Sequence, residues 1–217
     1  MLVQDVMQQP VVTTTASAPL SEAYKTMREH DIRHLPVLEG DDLVGIITDR
    51  DVRFAISPLR SSPLDVELPV SEVMTQNPYT AGLLDPIEEA ARLLREKKIG
   101  CLPVMQGDDL VGIVTLTNLL DSIIQLTGLE KPSGRLAVSL PDEPGQLARL
   151  TADIAERGVD IRSVLSYYEG EDIDSPTGGQ PSRLRIILRL DTLNVHPIAR
   201  DLRRDGFDVV WPAEKPT

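Results

Sequence analysis

The sequence predicts an α+β protein in which a β-α-β-β-α unit occurs twice and a different unit, with the order β-α-β-β-α-β, follows. Three observations predict this fold class. Residues 35–48 and 102–115 are identical at eleven of fourteen positions. Within each repeat, the spacing of apolar residues changes from helical to strand-like. Beyond residue 134 strands and helices again alternate, but the repeat does not recur.

The repeat is a duplication of about sixty residues. The segments LPVLEGDDLVGIIT and LPVMQGDDLVGIVT lie 67 residues apart, and the same register extends upstream to Pro19 and Pro86. Solenoid repeats have shorter periods of about 20–50 residues and occur more than twice. We therefore predict a paired domain over residues 1–127, with repeats at about 1–57 and 68–127.

Each repeat contains a predicted amphipathic helix. Leu20, Ala23, Tyr24 and Met27 are spaced i, i+3, i+4, i+7, and the same spacing recurs one repeat later. In the second repeat, Asp85 precedes a proline, which predicts Asp85 as the N-cap and the proline as the first helical residue.

A hairpin and a second helix complete each repeat. In the first repeat the runs LPVL and LVGIIT flank EGDD, which suits a tight turn. Pro36 and Pro103 restrict the first strand of each hairpin to a sheet edge or to the start of the strand. Second helices are predicted at 49–56 and 116–126, and the Pro- and Ser-rich segment 57–69 is predicted to be a linker.

Charge and cysteine content limit the possible partners. The net charge is −12, which opposes binding to nucleic acid or to an anionic membrane surface. No apolar run approaches the roughly 20 residues of a membrane span, and the N-terminus has no features of a secretion signal. Cys101 is the only cysteine, so no internal disulfide can form. We predict a cytoplasmic protein.

The duplicated unit resembles the CBS domain. The features that carry the resemblance are the leading strand and helix, the LPV strand, and the motif G-(I/V)-(I/V)-T-x-x-D. Two such domains in tandem resemble the CBS pair, which often acts as a sensor of adenosine nucleotides. The resemblance covers about residues 1–126. It implies AMP, ADP or ATP as a regulatory ligand and no required cofactor.

In CBS pairs the Asp of this motif bonds the ribose diol and the Thr faces the phosphates. The resemblance therefore implies these roles for Asp51 and Thr48 in GIITDRD. A carboxylate accepts hydrogen bonds from both ribose hydroxyls, and phosphate favours a helix start. The same two residues also fit a helix cap, with Thr48 as the N-cap and Asp51 in the first turn. The two roles can coexist.

The two nucleotide sites are predicted to be unequal. The second repeat has Thr115, but Asn118 replaces the Asp and supplies only one acceptor oxygen. Arg33 and His34 precede LPV, where this family commonly contacts adenine or phosphate. A partly buried histidine bonded to backbone is the alternative for His34. The equivalent residues of the second repeat are uncharged.

The candidate nucleotide contacts implied by the resemblance are Thr13, Ile32, Arg33, His34, Pro36, Thr48, Asp51, Thr80, Ile99, Gly100, Pro103, Thr115 and Asn118. Thr13 and Thr80 are placed in the first strand of each unit, where a strand-forming residue needs no functional explanation. Cys101 is read as a small buried apolar residue rather than a nucleophile, since no base is suggested nearby.

The remaining residues predict a second domain at about 134–214. The predicted elements are strands at 135–140, 161–168, 183–190 and 207–211, helices at about 145–157 and 196–206, and an acidic loop at 169–182. This order, with D-x-P-G-x-L after the first strand, resembles the ferredoxin-like ACT domain, which binds amino acids and other small effectors, usually at a dimer interface.

The ACT resemblance implies an effector site at Asp142, Glu143, Pro144, Gly145, Leu147 and Asp160. Gly145 lets the backbone approach a ligand at a helix N-terminus. However, Asp142 and Glu143 place negative charge where an acid would bind, and Asp160 stands where amino-acid-binding members often carry Asn. A structural or dimerising role is the alternative.

The function predicted from these features is regulatory and non-catalytic. Nucleotide occupancy of the CBS pair would alter a homodimer or a partner enzyme, and the CBS-plus-ACT arrangement resembles acetoin-utilisation-type accessory proteins. An oligomerisation adaptor with vestigial sites is the alternative. No P-loop, GxSxG or GxGxxG motif and no metal-spaced His/Cys cluster occurs in the sequence, so an enzyme has little support.

Overall fold

The computed structural model describes residues 1–57, 65–169 and 183–213. The chain forms two compact units, Met1–Ser122 and Ile123–Thr217. The predicted linker at 57–69 and the predicted acidic loop at 169–182 lie largely outside the described residues. Among the helices of the described residues, none has the length and apolar character needed to cross a membrane.

The first unit contains both repeats except for the last turn of the final helix. The first repeat consists of β1 (Thr14–Thr15), α1 (Leu20–Glu29), β2 (His34–Glu39), β3 (Asp42–Thr48) and α2 (Asp49–Ala55). The second consists of β4 (Thr75–Gln76), β5 (Ala81–Gly82), α3 (Ile87–Lys97), β6 (Cys101–Gln106), β7 (Asp109–Thr115) and α4 (Leu116–Leu126). The predicted helices and hairpins are confirmed, whereas Thr13 and Thr80 lie just before the short strands β1 and β5.

Both hairpins turn at a glycine with positive φ, at +64° in Gly40 and in Gly107, where a side chain would be strained. In the first sheet, whose order is β1-β2-β3-β4, strand β2 is not an edge strand. However, β1 pairs only with Val37 and Leu38. Pro36 therefore lies beyond the reach of β1, and its missing N–H removes no ladder bond on that side.

The segment at the start of each repeat packs in the core of the other repeat. Short 3-10 turns form at Val3–Asp5 and Val70–Glu72. Val3 is buried in the core of the second repeat, and Val70 is buried in the core of the first. The boundaries of the sequence repeats therefore do not coincide with the boundaries of the packed cores.

Backbone pairing follows the same exchange. Gln8 forms a bridge with Ile113 of β7, and β4 pairs antiparallel with β3. The side chain of Met7 lies against Gly112, and that of Met74 lies against Gly45. A Cβ at either glycine would collide with the methionine sulfur, so these strand glycines leave room for the crossing segments.

The start of α3 differs from the prediction. Pro86 is the N-cap of α3, with an extended ψ of 140°, and the helix begins at Ile87. Asp85 does not cap the helix, because its Oδ2 accepts a hydrogen bond from the N–H of Gly82 at 2.7 Å. The carboxylate therefore closes the preceding turn instead.

The second unit has the predicted order β-α-β-β-α-β. Its elements are β8 (Gly134–Pro141), α5 (Gln146–Glu156), β9 (Ile161–Tyr168), β10 (Arg183–Leu190), α6 (His196–Arg204) and β11 (Asp208–Trp211). The antiparallel sheet has the order β11-β8-β10-β9. Apolar side chains of the two helices and of one sheet face form a single core that includes Leu150, Ile186 and Leu202.

Candidate functional site

The motif GIITDRD forms a helix cap at the start of α2. The Thr48 hydroxyl accepts a hydrogen bond from the Asp51 N–H at 3.2 Å. Asp51 Oδ2 accepts from the Thr48 N–H at 2.9 Å and from the Thr48 hydroxyl at 2.6 Å. This is a capping box. Asp51 Oδ1 accepts no hydrogen bond from the residues that the structure describes.

The second copy forms the same cap with an amide in place of the carboxylate. Asn118 Oδ1 accepts from the Thr115 N–H at 2.9 Å and from the Thr115 hydroxyl at 2.7 Å. The Asn118 N–H donates to the Thr115 hydroxyl at 3.3 Å. A backbone N–H can only donate, so the atom of Asn118 that bonds to the Thr115 N–H must be an acceptor. The oxygen of the Asn118 side-chain amide therefore faces Thr115, and its nitrogen faces away. The group left for a ligand is therefore an acceptor oxygen in Asp51 and a donor Nδ2 in Asn118.

A cavity of about 450 Å³ lies within the first unit. Its lining comes from both repeats and from the segment that joins the N-terminal turn to β1. The lining residues are Gln8, Pro10, Val12, Asp31, Ile32, Arg33, His34, Gly100, Ile113, Thr115, Leu116 and Thr117. The cavity thus combines an apolar wall, the Arg33 guanidinium group, the Asp31 carboxylate, an imidazole and the N-terminus of α4.

Five of the residues predicted from the sequence line this cavity: Ile32, Arg33, His34, Gly100 and Thr115. In this cavity Arg33 and His34 of the first repeat lie together with Thr115 of the second. Asn118 is bonded to Thr115 but is not part of the lining.

The other predicted nucleotide contacts are not part of the lining. They are Thr13, Pro36, Thr48, Asp51, Thr80, Ile99 and Pro103. Pro36 and Pro103 are buried within their strands. Sequence reasoning missed the other seven lining residues, which are Gln8, Pro10, Val12, Asp31, Ile113, Leu116 and Thr117. The apolar character of Val12 and Ile113 is also explained by their packing in or against the cores.

His34 lies beside the first cap and contacts Gly100 of the second repeat. Its Cα pairs with that of Thr48 on β3, and its ring lies against Gly100, where a Cβ would be 2.7 Å from Nε2. Burial lowers the pKa of the His34 imidazole; the Asp49 and Asp51 carboxylates oppose this, and Arg33 adds to it. The balance favours the neutral ring, which can donate one hydrogen bond and accept another.

Cys101 follows Gly100 in the chain, but its thiol is not reactive. Its thiol is buried, and burial raises its pKa to about 12. Since the thiolate is the reactive form, this cysteine is inert near neutral pH. The described residues contain no group of three His, Cys, Asp or Glu side chains that could hold a metal ion.

The predicted effector residues of the second unit lie on exposed turns. Asp142, Glu143, Pro144, Gly145 and Leu147 are exposed around the start of α5. Gly145 is the N-cap of α5 with φ of +91°, which explains the glycine without a ligand. Asp160 is exposed before β9, and its Oδ1 accepts from the Ile161 N–H at 2.9 Å.

Several proteins of known sequence resemble this chain. A CBS domain-containing protein of Dictyostelium discoideum is 37% identical over 134 residues, which is 58% of this chain and 92% of that protein. The inosine-5'-monophosphate dehydrogenase of Korarchaeum cryptofilum is 34% identical over 169 residues. That match spans 77% of this chain but only 33% of the enzyme.

Solved structures resemble the same part of the chain. The CBS domain pair of protein MJ0100, in complex with 5'-methylthioadenosine and S-adenosyl-L-methionine, has a TM-score of 0.51 and 31% identity, covering 60% of this chain and 98% of that one. An acetoin utilization protein of Vibrio cholerae has a TM-score of 0.53 and 34% identity, covering 60% and 95%. CBSX2 in complex with AMP has 0.52 and 27%, covering 58% and 97%.

The family model of the CBS domain matches this chain twice, at residues 3–58 and 70–125. These ranges contain the two repeats, both helix caps and the segments that exchange between the two cores. Two relatives of this fold hold adenosine derivatives, AMP in one and S-adenosyl-L-methionine with 5'-methylthioadenosine in the other. The chain belongs to the family of proteins with a tandem pair of CBS domains.

Proposed function

We propose that this protein is a regulatory sensor whose CBS pair binds an adenosine nucleotide in the cavity beside Thr115. The observation that carries the proposal is the convergence of Arg33, His34 and Thr115 from two repeats on one cavity of about 450 Å³. A volume of this order is typical of small-molecule sites, which range over roughly 300–1,000 Å³.

The chemistry of the lining suggests how such a ligand would lie. Val12, Ile32 and Ile113 offer an apolar surface for a base. Arg33 is exposed at the cavity, and a guanidinium group binds phosphate oxygens with two parallel donors. Leu116 and Thr117 are at the N-terminus of α4, where the helix dipole favours an anion. We therefore place the phosphate end near Arg33 and α4.

A second, separate site at the first cap is part of the proposal. There Asp51 Oδ1 would accept from the ribose hydroxyls, as the family resemblance implies, but the neighbouring residues of the other repeat do not include an arginine equivalent to Arg33. We expect this site to recognise the adenosine moiety and to depend less on phosphate. The two sites would then differ in the ligand group that they select.

Calorimetric titration with adenosine, AMP and ATP tests the proposal. Arg33→Ala should weaken AMP and ATP binding about tenfold or more but leave adenosine binding unchanged. Lys25→Ala is the matched control, because it removes one positive charge from an exposed ion pair on α1. If Arg33→Ala and Lys25→Ala have the same effect, the phosphate is not bound as proposed.

One observation favours the alternative of an oligomerisation adaptor. Thr48 is bonded to Asp51, and Thr115 is bonded to Asn118, so the recurrence of this motif in the two repeats can serve helix capping alone. Absence of binding heat with adenosine, AMP, ADP, ATP and S-adenosyl-L-methionine would support the adaptor and reject the sensor.

The regulatory output is also a proposal. Nucleotide occupancy would act on a homodimer or on a partner enzyme, and an ACT-type effector at the turn around Gly145 would add a second input. The similarity to an acetoin utilization protein supports the idea of an accessory role. Native mass spectrometry of the purified protein would detect both the number of subunits and any retained ligand.

A further inference from the structure

Two charged side chains line the cavity beside Thr115, and their charges cancel. Arg33 carries the positive charge and Asp31 the negative one. Both residues are exposed, and they form no ion pair with each other or with a third residue that the structure describes. A phosphate monoester carries a charge of about −1.5 to −2 near neutral pH. A nucleotide therefore meets one attractive and one repulsive side chain in this cavity.

The backbone at Asp31 does not require a carboxylate. Asp31 follows α1 with a positive φ of +51°. The equivalent residue of the second repeat, 67 positions later, is Lys98, and its φ of +55° is nearly the same. The left-handed conformation is thus compatible with either charge, although Asn and Asp adopt it more readily than most residues. The negative charge is a separate property of the first repeat.

The other acidic side chains near the cavity belong to the start of α2. The Asp49 and Asp51 carboxylates act electrostatically on His34, which lines the cavity. Asp49 is partly neutralised by an ion pair with Arg53 at 2.9 Å. Among the lining residues that the structure describes, Arg33 is the only cation. The charges around the cavity thus oppose any ligand group that adds negative charge beyond what Arg33 can neutralise.

The start of α4 has few hydrogen-bond donors left for a ligand. The N–H of Leu116 donates to the Gly100 carbonyl at 3.1 Å, and the N–H of Asn118 donates to its cap at 3.3 Å. Thr117 lies between them in the first turn, where its N–H has no acceptor within the helix. Together with the two parallel donors of Arg33, this N–H can bind the oxygens of one phosphate group.

We propose that this cavity selects nucleoside monophosphates over di- and triphosphates, and that Asp31 sets this preference. The inference rests on the function proposed above. Arg33 and the Thr117 N–H bind the first phosphate. A second or third phosphoryl group finds no further cation in the described lining and is repelled by the Asp31 carboxylate. Adenosine lacks the phosphate that Arg33 binds, so AMP is the adenosine ligand that these charges fit.

Calorimetric titration of the full chain with adenosine, AMP, ADP and ATP tests this selectivity. Mg²⁺ is left out so that each ligand keeps its full charge, and the binding step that Arg33→Ala weakens identifies this cavity. AMP should bind about tenfold more tightly than ATP at low salt, with ADP between them. ATP binding in this cavity as tight as AMP binding, or tighter, would overturn the proposal.

Substitutions of Asp31 test its role directly. Asp31→Asn should raise ATP affinity about three- to tenfold and AMP affinity by less, and Asp31→Lys, which introduces the charge of Lys98, should do so more strongly. Asn adopts a positive φ readily, so the fold should be retained. Asp108→Asn is the matched control, since it removes the same charge from an exposed hairpin turn outside the lining. Equal effects of Asp31→Asn and Asp108→Asn would reject Asp31 as the determinant.

Salt dependence distinguishes repulsion from lack of space. Raising the NaCl concentration from about 0.05 M to about 0.5 M shortens the Debye length several-fold. The AMP preference and the effect of Asp31→Asn should both shrink. An AMP preference that salt leaves unchanged would mean that size excludes ATP, which contradicts the proposed role of Asp31. These outcomes differ from failure of the sensor itself, in which neither adenosine nor AMP would bind to the wild-type protein.

Discussion

Two substitutions of Asp51 distinguish the contribution of its hydrogen bonds from that of its negative charge. The comparison is possible because Asn118 forms the same cap in the second repeat with an uncharged amide. Asp51→Ala removes the acceptor for the Thr48 N–H and hydroxyl, which lie at 2.9 and 2.6 Å. Loss of a cap of this kind costs about 1–2 kcal/mol. Asp51→Asn should keep both bonds, as Asn118 does. It loses only the favourable interaction of a negative charge with the helix start, about 0.3–1 kcal/mol.

Thermal unfolding of the full chain can resolve this difference. For a chain of 150–250 residues, 1 kcal/mol shifts Tm by about 2–4 °C. We expect Asp51→Ala to lower Tm by about 2–8 °C and Asp51→Asn by less than half of that loss. In the second repeat, Asn118→Ala should also be destabilising, whereas Asn118→Asp should raise the free energy of unfolding, since it adds the missing charge.

The ranking of the four variants by Tm shows whether the charge or the hydrogen bonds of the cap stabilise the helix. If Asp51→Asn is as destabilising as Asp51→Ala, the carboxylate charge rather than the hydrogen-bond geometry stabilises α2. If Asn118→Asp is strongly destabilising, the two caps are not equivalent, and the comparison between the repeats fails.

Three further predictions concern the core, the histidine and the cavity. Val3→Ala should destabilise the second repeat by about 1–3 kcal/mol, because Val3 is fully buried in that core. Truncating Leu2, which is only half-buried, should cost less, and equal losses in urea titrations would contradict the exchange. Burial lowers the pKa of His34 below 6.5, so the unfolded state takes up a proton first on acidification. The free energy of unfolding should therefore fall as pH drops from about 6.5 through the folded pKa. His34→Gln should remove this dependence of stability on pH, and an unchanged profile would refute the assignment. Gly100→Ala should lower the free energy of unfolding by about 1–3 kcal/mol, because the new Cβ would collide with the His34 ring. In the double variant with His34→Ala, most of this loss should disappear. Additive losses of the two single variants would count against the contact.

Features that depend on neighbouring residues were predictable from the sequence. The T-x-x-D and T-x-x-N caps form because the interacting groups are three residues apart, within one turn of helix. The hairpin turns form because Gly40 and Gly107 adopt positive φ. The boundaries of β9 and β10 match the predicted 161–168 and 183–190 because their ends coincide with turn residues and charged flanks. The prediction for Asp85 was wrong because its carboxylate could accept either from an N–H at the start of α3 or from the N–H of Gly82, and it accepts from Gly82.

The exchange between the repeats could not be predicted, and its reason is physical. Val3 and Val70 occupy equivalent positions of the two repeats, and each would meet a similar core on either side. The apolar pattern therefore favours burial but does not say in which repeat. The same ambiguity concealed the composition of the cavity, because local motifs place His34 opposite Thr48 on paired strands but do not reveal that His34 also lines a cavity with Thr115.

The exchange between the repeats bears on the regulatory function proposed above. The cavity lining runs from Gln8, which is bridged to the second repeat, through Val12 to the first repeat, and it includes side chains from the hairpins of both. A ligand that fills the cavity must therefore contact both repeats at once. Any change in the position of one repeat relative to the other alters these contacts, so the ligand binds the two arrangements unequally. Such a difference in affinity is what a ligand needs in order to shift a conformational equilibrium, and it does not require a catalytic residue.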